Sequence, residues 1–321
     1  MESLQYPRST RTAVYLGPEL AAYGFGGGHP FGTDRQAAFE QEFRRRGLDR
    51  QTQLRHPVMA GEQDLARFHT ARYLEQVRRQ SQTGEGYLDY GDTPAFRGVY
   101  EAAACVAGSV LDAARGILAG EFSNAFVPIA GLHHAQREMA SGFCVFNDIG
   151  VLIEWLRATQ GINQVAYVDI DAHHGDGVFY AYEEDPGVIF ADVHEDGRHL
   201  YPGTGAAEET GLGEARGRKL NVPLPPGASD VAFHDAWPFV EAHLERLPAQ
   251  FYILQCGADS VAGDPITHLQ FSVSCHGYAA QSLRRIATQH AAGRLLALGG
   301  GGYDRDNLAR AWCEVVAALT A

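Results

Sequence analysis

Apolar and polar positions change period along this chain, and the change is clearest from residue 98 onward. Gly98 to Ala119 carries apolar residues at helical spacing, and Asn124 to Ala130 (NAFVPIA) follows as a short apolar run. Asp148 to Thr159 returns to the helical period, and Gln164 to Ile170 (QVAYVDI) reads as a strand rich in β-branched residues. Gly187 to Val193 (GVIFADV) predicts another strand, and Asp230 to Arg246 a helix. Phe251 to Cys256 (FYILQC) and Arg294 to Leu298 (RLLAL) read as strands, Tyr278 to His290 and Arg305 to Leu319 as helices. Short, wholly apolar strands alternating with helices predict an α/β fold: a mostly parallel sheet with helices on both faces. No internal repeat or linker interrupts it, so residues 1–321 read as a single domain, with 1–12 a flexible leading segment. The glycine cluster in YGFGGGHPFG follows no strand and lacks G-x-G-x-x-G spacing, so it reads as a loop and not a phosphate cradle.

Composition narrows the picture. The chain has 321 residues, of which 45% are hydrophobic and 20% charged, enough for a sizeable core. Its 26 basic and 39 acidic residues give a net charge of −13, which argues against binding nucleic acid through phosphates. Lys219 is the only lysine, a bias that arginine-favouring codons explain. The five cysteines are odd in number and form no C-x-x-C pair, so they read as reduced packing residues. No stretch approaches 18 uninterrupted apolar residues, and no basic start precedes an apolar core; a cytoplasmic protein without membrane partners is expected.

In parallel sheets the reactive groups lie beyond the carboxyl ends of the strands. Here those ends carry His133-His134, then Asp169-Ile170-Asp171-Ala172-His173-His174-Gly175-Asp176, then His194 and Tyr201, then Asp259 and Asp264, then Gly299 to Tyr303. Asp171 and His173 are two apart in extended chain and project to one side. With Asp264, at a Gly-Asp-Pro turn, they make a carboxylate–imidazole set that suits zinc and leaves a position open. Two adjacent histidines beside a metal can serve as base and acid when carboxylates tune them differently, and Asp169 and Asp176 are the carboxylates left for that task.

The strings GLHHAQREMASGFCVFNDIG, VDIDAHHGDG, HLYPGTG, CGADSVAGDP and GGGGY resemble the zinc-dependent histone deacetylase superfamily. The subgroup they look most like is the bacterial acetoin-utilisation and histone-deacetylase-like proteins, with the resemblance running from about Ala13 to the C-terminus. It implies an arginase–deacetylase fold on an eight-stranded sheet, and one catalytic Zn2+ (or Fe2+) on Asp171, His173 and Asp264. It pairs His133 with Asp169 and His134 with Asp176, and gives Tyr303 the amide oxygen. Phe143 and Tyr201 become the walls of an acyl-lysine tunnel, Asp92 a rim carboxylate that holds substrate backbone, and Gly142 and Gly301 part of the tunnel lining. Its partners are an acyl-lysine protein or peptide, or a small acylated amine.

Three departures stand out. Tyr201 replaces a second phenylalanine. Asp192 stands where a serine usually completes a structural K+ site with Asp169, Asp171 and His173. The rim run Ile266-Thr267-His268-Leu269 is altered. Acetylpolyamine hydrolysis is the alternative reading; a manganese ureohydrolase of the arginase type and a catalytically dead acyl-lysine binder fit less well. Asp176 lies one residue too late for the arginase pattern, Gly257-Ala258-Asp259 lacks its second aspartate, and all the catalytic side chains are kept.

Overall fold

A computed structural model describes residues 11–321. Eight strands, β1 (Thr12–Tyr15), β2 (Gln53–Arg55), β3 (Asn124–Val127), β4 (Val165–Asp169), β5 (Val188–Glu195), β6 (Lys219–Leu224), β7 (Phe251–Gln255) and β8 (Leu295–Leu298), form one sheet. The helices are α1 (Pro18–Ala21), α2 (Arg35–Arg45), α3 (Glu62–Leu65), α4 (Ala71–Thr83), α5 (Val99–Ala119), α6 (Asp148–Gln160), α7 (Asp176–Ala181), α8 (Asp230–Arg246), α9 (Ser274–Ala291) and α10 (Arg305–Thr320). The strand order is β2-β1-β3-β8-β7-β4-β5-β6, and every pairing is parallel.

Every residue of β3, β4, β5, β7 and β8 is buried, as expected of strands covered on both faces. The two edge strands differ: β2 is half-buried to exposed, and β6 mixes buried and half-buried positions. Of the leading segment expected at 1–12, residues 1–10 lie outside the described residues, whereas Thr12 is buried in β1. Helix α5 is long and apolar enough to cross a membrane by length and composition, but 78% of its most apolar window is buried inside the protein, where it packs on α6 and β3.

The strand order positions the site. After β3 on one side, the chain crosses to β4, β5 and β6 on the other, then returns to fill the gap with β7 and β8. The loops after β3 and β4 therefore flank the central pair, and four strand ends meet at one place. Register sharpens this: Asp169 lies level with Asp192 on one neighbour and Gln255 on the other, and Gln255 level with Leu298. Helix α6 begins where Asn147 accepts the Gly150 N–H at 2.8 Å, a cap worth about 1 kcal/mol. Asp148 at its first position turns its carboxylate back onto the N–H groups of Gly131 (2.9 Å) and Leu132 (2.7 Å), fixing the loop that carries His133 and His134. Burial outweighs these amides and lifts the Asp148 pKa to about 6.

Candidate active site

His133 and His134 are both buried, and their rings tilt together with centroids 4.0 Å apart. His133 Nδ1 meets Asp169 Oδ2 at 2.8 Å, and His134 Nδ1 meets Asp176 Oδ1 at 2.6 Å. The two Nε2 atoms face one another at 3.1 Å. Each Nε2 holds a proton or offers a lone pair according to its tautomer, so the pair can both take and give a proton at this point. Burial and the neighbouring His133 lower the His134 pKa to about 4, although Asp176 opposes them, so the His134 ring is neutral at ordinary pH. Burial, then the like charges of Asp192 and Asp171, push Asp169 well above the usual carboxylate range. Tyr167 donates to its Oδ2 at 2.5 Å.

Beside the histidines, Asp171, His173 and Asp259 bring ligand atoms within 4.8 Å of one another, all buried. His173 Nδ1 lies 3.1 Å from both Asp171 Oδ1 and Asp259 Oδ2. Burial depresses this imidazole, but the two carboxylates outweigh it and raise its pKa to about 10. The cluster thus calls for positive charge, which is the environment a divalent cation needs. Asp171 Oδ2 is held by Gln255 Nε2 and the Gly301 N–H, each at 2.9 Å. Gly301 is glycine because of that approach: a Cβ there would stand 2.3 Å from Asp259 Oδ2 and 2.8 Å from Asp171 Oδ2. Asp264, the third ligand expected from sequence, lies outside this close trio. Its oxygens accept the N–H groups of Ile266 (3.0 Å) and Tyr303 (2.8 Å), and its field reaches Asp259.

A cavity whose lining includes Leu132, His133, His134, Asp171, His173, Gly301 and Tyr303 opens onto this cluster, with Phe31, Gly142 and Cys144 also on its wall. Further out, a pocket of about 370 Å³ is lined by Asp89, Tyr90, Gly91, Asp92, Ser141 and Tyr201. The turn that carries Phe143 stands between the two. The Phe143 ring packs edge-on against Tyr303 at 5.9 Å, and the Tyr201 ring sits over His134 at 5.1 Å and His173 at 6.3 Å. The Tyr201 hydroxyl is tied to Ser141 Oγ at 2.5 Å. Asp92 is exposed at the mouth; partial desolvation and the nearby Asp89 raise its pKa to about 6.

A histone deacetylase domain model matches residues 29–319. The chain belongs to the histone deacetylase family. It is 33% identical over 315 residues to the acetoin utilization protein AcuC of Bacillus subtilis (95% of this chain, 81% of the relative). It is 34% identical over 282 residues to a probable deacetylase of Archaeoglobus fulgidus (86% and 77%). It is 37% identical over 260 residues to a histone deacetylase-like amidohydrolase of Pseudomonas aeruginosa (80% and 68%). The family is zinc-dependent and its members are hydrolytic deacetylases, so this chain is an enzyme of that class with a buried Asp-His-Asp cluster at its centre.

The structure brings His133, His134, Asp169, Asp171, His173, Asp176 and Tyr303 together, with Asp264 at the edge and Asp92, Phe143 and Tyr201 along the way in. Asp192 differs from an open ion ligand. Its Oδ2 accepts the Gly175 N–H at 2.9 Å, and its Oδ1 meets His194 Nδ1 at 2.9 Å, while His194 Nε2 faces the Gly205 carbonyl at 3.0 Å. The oxygen expected at a potassium site is thus engaged by a side chain.

Sequence reasoning missed Asp259 as a member of the trio, Gln255, Asp148 and Arg35. Asp259 was in view at a strand end, and Gln255 is the last residue of β7; a polar residue closing an apolar strand was the available signal. Arg35 had none. It is fully buried behind Tyr303, donates to the carbonyls of Gly302 (3.0 Å) and Gly300 (2.6 Å), lies 4.0 Å over the Phe31 ring, and leaves Nη1 without a hydrogen-bond partner. Burial lowers its pKa to about 10.

Proposed function

We propose that this enzyme removes acetyl or other acyl groups from lysine side chains of proteins or peptides, acting in the cytoplasm. The observation that carries the proposal is the tandem pair: His133 and His134 face one another at Nε2, 3.1 Å apart, and each is backed by its own buried carboxylate, beside a buried Asp-His-Asp cluster. Asp171 and His173, with a third carboxylate, would hold Zn2+ (Fe2+ has the same donor preferences here). Asp264 is our choice for the third. It and His173 are each 7% exposed, whereas Asp259 is 0% exposed, meets the same His173 Nδ1 as Asp171 does and also accepts the Ala172 N–H. Such an ion, when bound, would polarise the acyl carbonyl and lower the pKa of a water on it toward about 7.

The protein's own groups then divide the work. Neutral His134 receives the proton of the attacking water at Nε2, while Asp176 fixes its tautomer through Nδ1. The His133–His134 pair returns a proton to the leaving amine. The Tyr303 hydroxyl, whose pKa burial and nearby Asp259 hold well above its ordinary value, stays protonated and donates to the developing oxyanion. Phe143 and Tyr201 give the lysine stem two aromatic faces, and Asp92 accepts substrate backbone N–H groups at the mouth. No step needs potassium, and the engagement of Asp192 by His194 speaks against routing one through it.

Acetyl-lysine peptides and N-acetylputrescine offered side by side to the zinc-loaded protein test the substrate class. A kcat/KM for the peptide at least equal to that for the polyamine is expected. A preference for the polyamine above about tenfold, roughly 1.4 kcal/mol of transition-state discrimination, would transfer the assignment to acetylpolyamines.

A further inference from the structure

Phe143 has a backbone φ of +67°, a region that side-chain-bearing residues rarely enter and that a bulky residue occupies only when its surroundings enforce it. It follows Gly142 at φ +51°, and the flanking Ser141 and Cys144 exchange both backbone hydrogen bonds (3.1 and 2.8 Å), so the two form the centre of a tight reverse turn with the φ signs of a type I′ turn. Glycine at both centres would relieve the turn. The sequence keeps a phenylalanine at the second.

Two hydroxyl groups from distant segments hold that phenylalanine. Thr93 Oγ1 accepts the Phe143 N–H at 3.0 Å. The Tyr23 hydroxyl donates to the Phe143 carbonyl at 2.7 Å and accepts the Val145 N–H at 2.9 Å. Both side chains are buried, Thr93 at 0% and Tyr23 at 1% exposure. The aromatic ring so aimed lies between His29 (centroids 4.5 Å apart) and Tyr303 (5.9 Å). Thr93 also donates to Asp92 Oδ1 at 3.2 Å, so the same hydroxyl joins the mouth to the wall.

We infer that Tyr23 and Thr93 are positioning residues that lock Phe143 in its left-handed backbone and so hold one aromatic face of the acyl-lysine tunnel in place. The inference rests on the acyl-lysine reading of the site. Without these anchors the turn relaxes and the ring leaves the wall, weakening the grip on the alkyl stem while the reacting groups stay where they are.

The test is a double-mutant cycle on the zinc-loaded enzyme, with an acetyl-lysine peptide and, as a probe without an alkyl stem, 4-nitrophenyl acetate. Tyr23→Phe should raise KM for the peptide about tenfold, change kcat by less than about threefold, and leave ester hydrolysis and metal content as in the wild type. In a Phe143→Gly background, which has no ring to position, Tyr23→Phe should add nothing. Should Tyr23→Phe fail to fold, Thr93→Val against Thr93→Ser decides, since only the serine keeps the acceptor and should rescue KM. An unchanged KM in the single variants, or the same rise with and without the Phe143 ring, would overturn the positioning role alone. A wild-type enzyme that binds zinc but hydrolyses no acyl-lysine peptide would take the functional reading down with it.

Discussion

At the floor of the site, side chains leave the ends of β3, β4, β7 and β8 and are held by strand register and buried backbone amides, whereas the wall and mouth hang on three loops tied by hydroxyl groups. Asp171 is clamped by Gln255 and the Gly301 N–H, and Ala172 N–H reaches Asp259 at 2.9 Å. Phe143 depends on Tyr23 and Thr93, Tyr201 on Ser141. Catalysis needs fixed charge and proton geometry, which a rigid sheet end supplies; substrate choice needs surfaces that can be altered without disturbing it. Floor substitutions should therefore act on kcat and metal, and wall substitutions on KM.

The largest effect is expected at the floor. Asp171→Ala should abolish stoichiometric metal and cut kcat/KM by at least about 10³, read by metal analysis and acetate release. Asp264→Asn should likewise lower metal occupancy, whereas Asp259→Asn should weaken His173 orientation more than occupancy; the reverse order would make Asp259 the ligand. Tyr303→Phe should keep metal and fold and lose about 10²–10³ in kcat.

The contrast between floor and wall also explains what was legible. The strands β3, β4, β5, β7 and β8 showed as largely apolar runs because both their faces are buried, and the polar residues at and just beyond their ends were marked by composition alone. β1, a four-residue strand, and the edge strands β2 and β6 gave no such run, and the helices before residue 98 carry mixed faces; the parallel sheet followed from the pattern, but its count of eight strands came only through the resemblance. Partners that meet only in space were not legible. Nothing in the sequence joins Tyr23 to Phe143 or Arg35 to Gly300 and Gly302, separated by 120, 265 and 267 positions. Asp264 was singled out from its turn, while Asp259, five residues earlier, entered the trio only once the loop was folded.

Smaller effects sharpen the comparison. With His134 as the proposed neutral base, activity should persist as pH falls and be lost only as pH approaches about 4, where His134 takes a proton. The same lowered pKa means that the native state resists a proton the unfolded chain accepts, so His134 subtracts stability progressively as pH falls from about 6.5 toward 4. A kcat/KM profile with its acid limb near pH 6.5 would show that burial does not set this histidine. At the mouth, Asp92→Ala should raise KM for acetyl-lysine peptides about tenfold and leave a small fluorogenic amide unaffected, since only the peptide offers backbone N–H groups. Tyr201→Phe removes the tie to Ser141 but keeps the ring, and should alter KM by no more than about threefold.

The most direct measurement is acetate release from an acetyl-lysine peptide by metal-free protein titrated with zinc. The account predicts turnover that rises to one equivalent per chain, then levels off, and vanishes on adding a chelator. Full turnover without metal, or one bound zinc per chain with no acetate released from any acyl-lysine peptide, would contradict it.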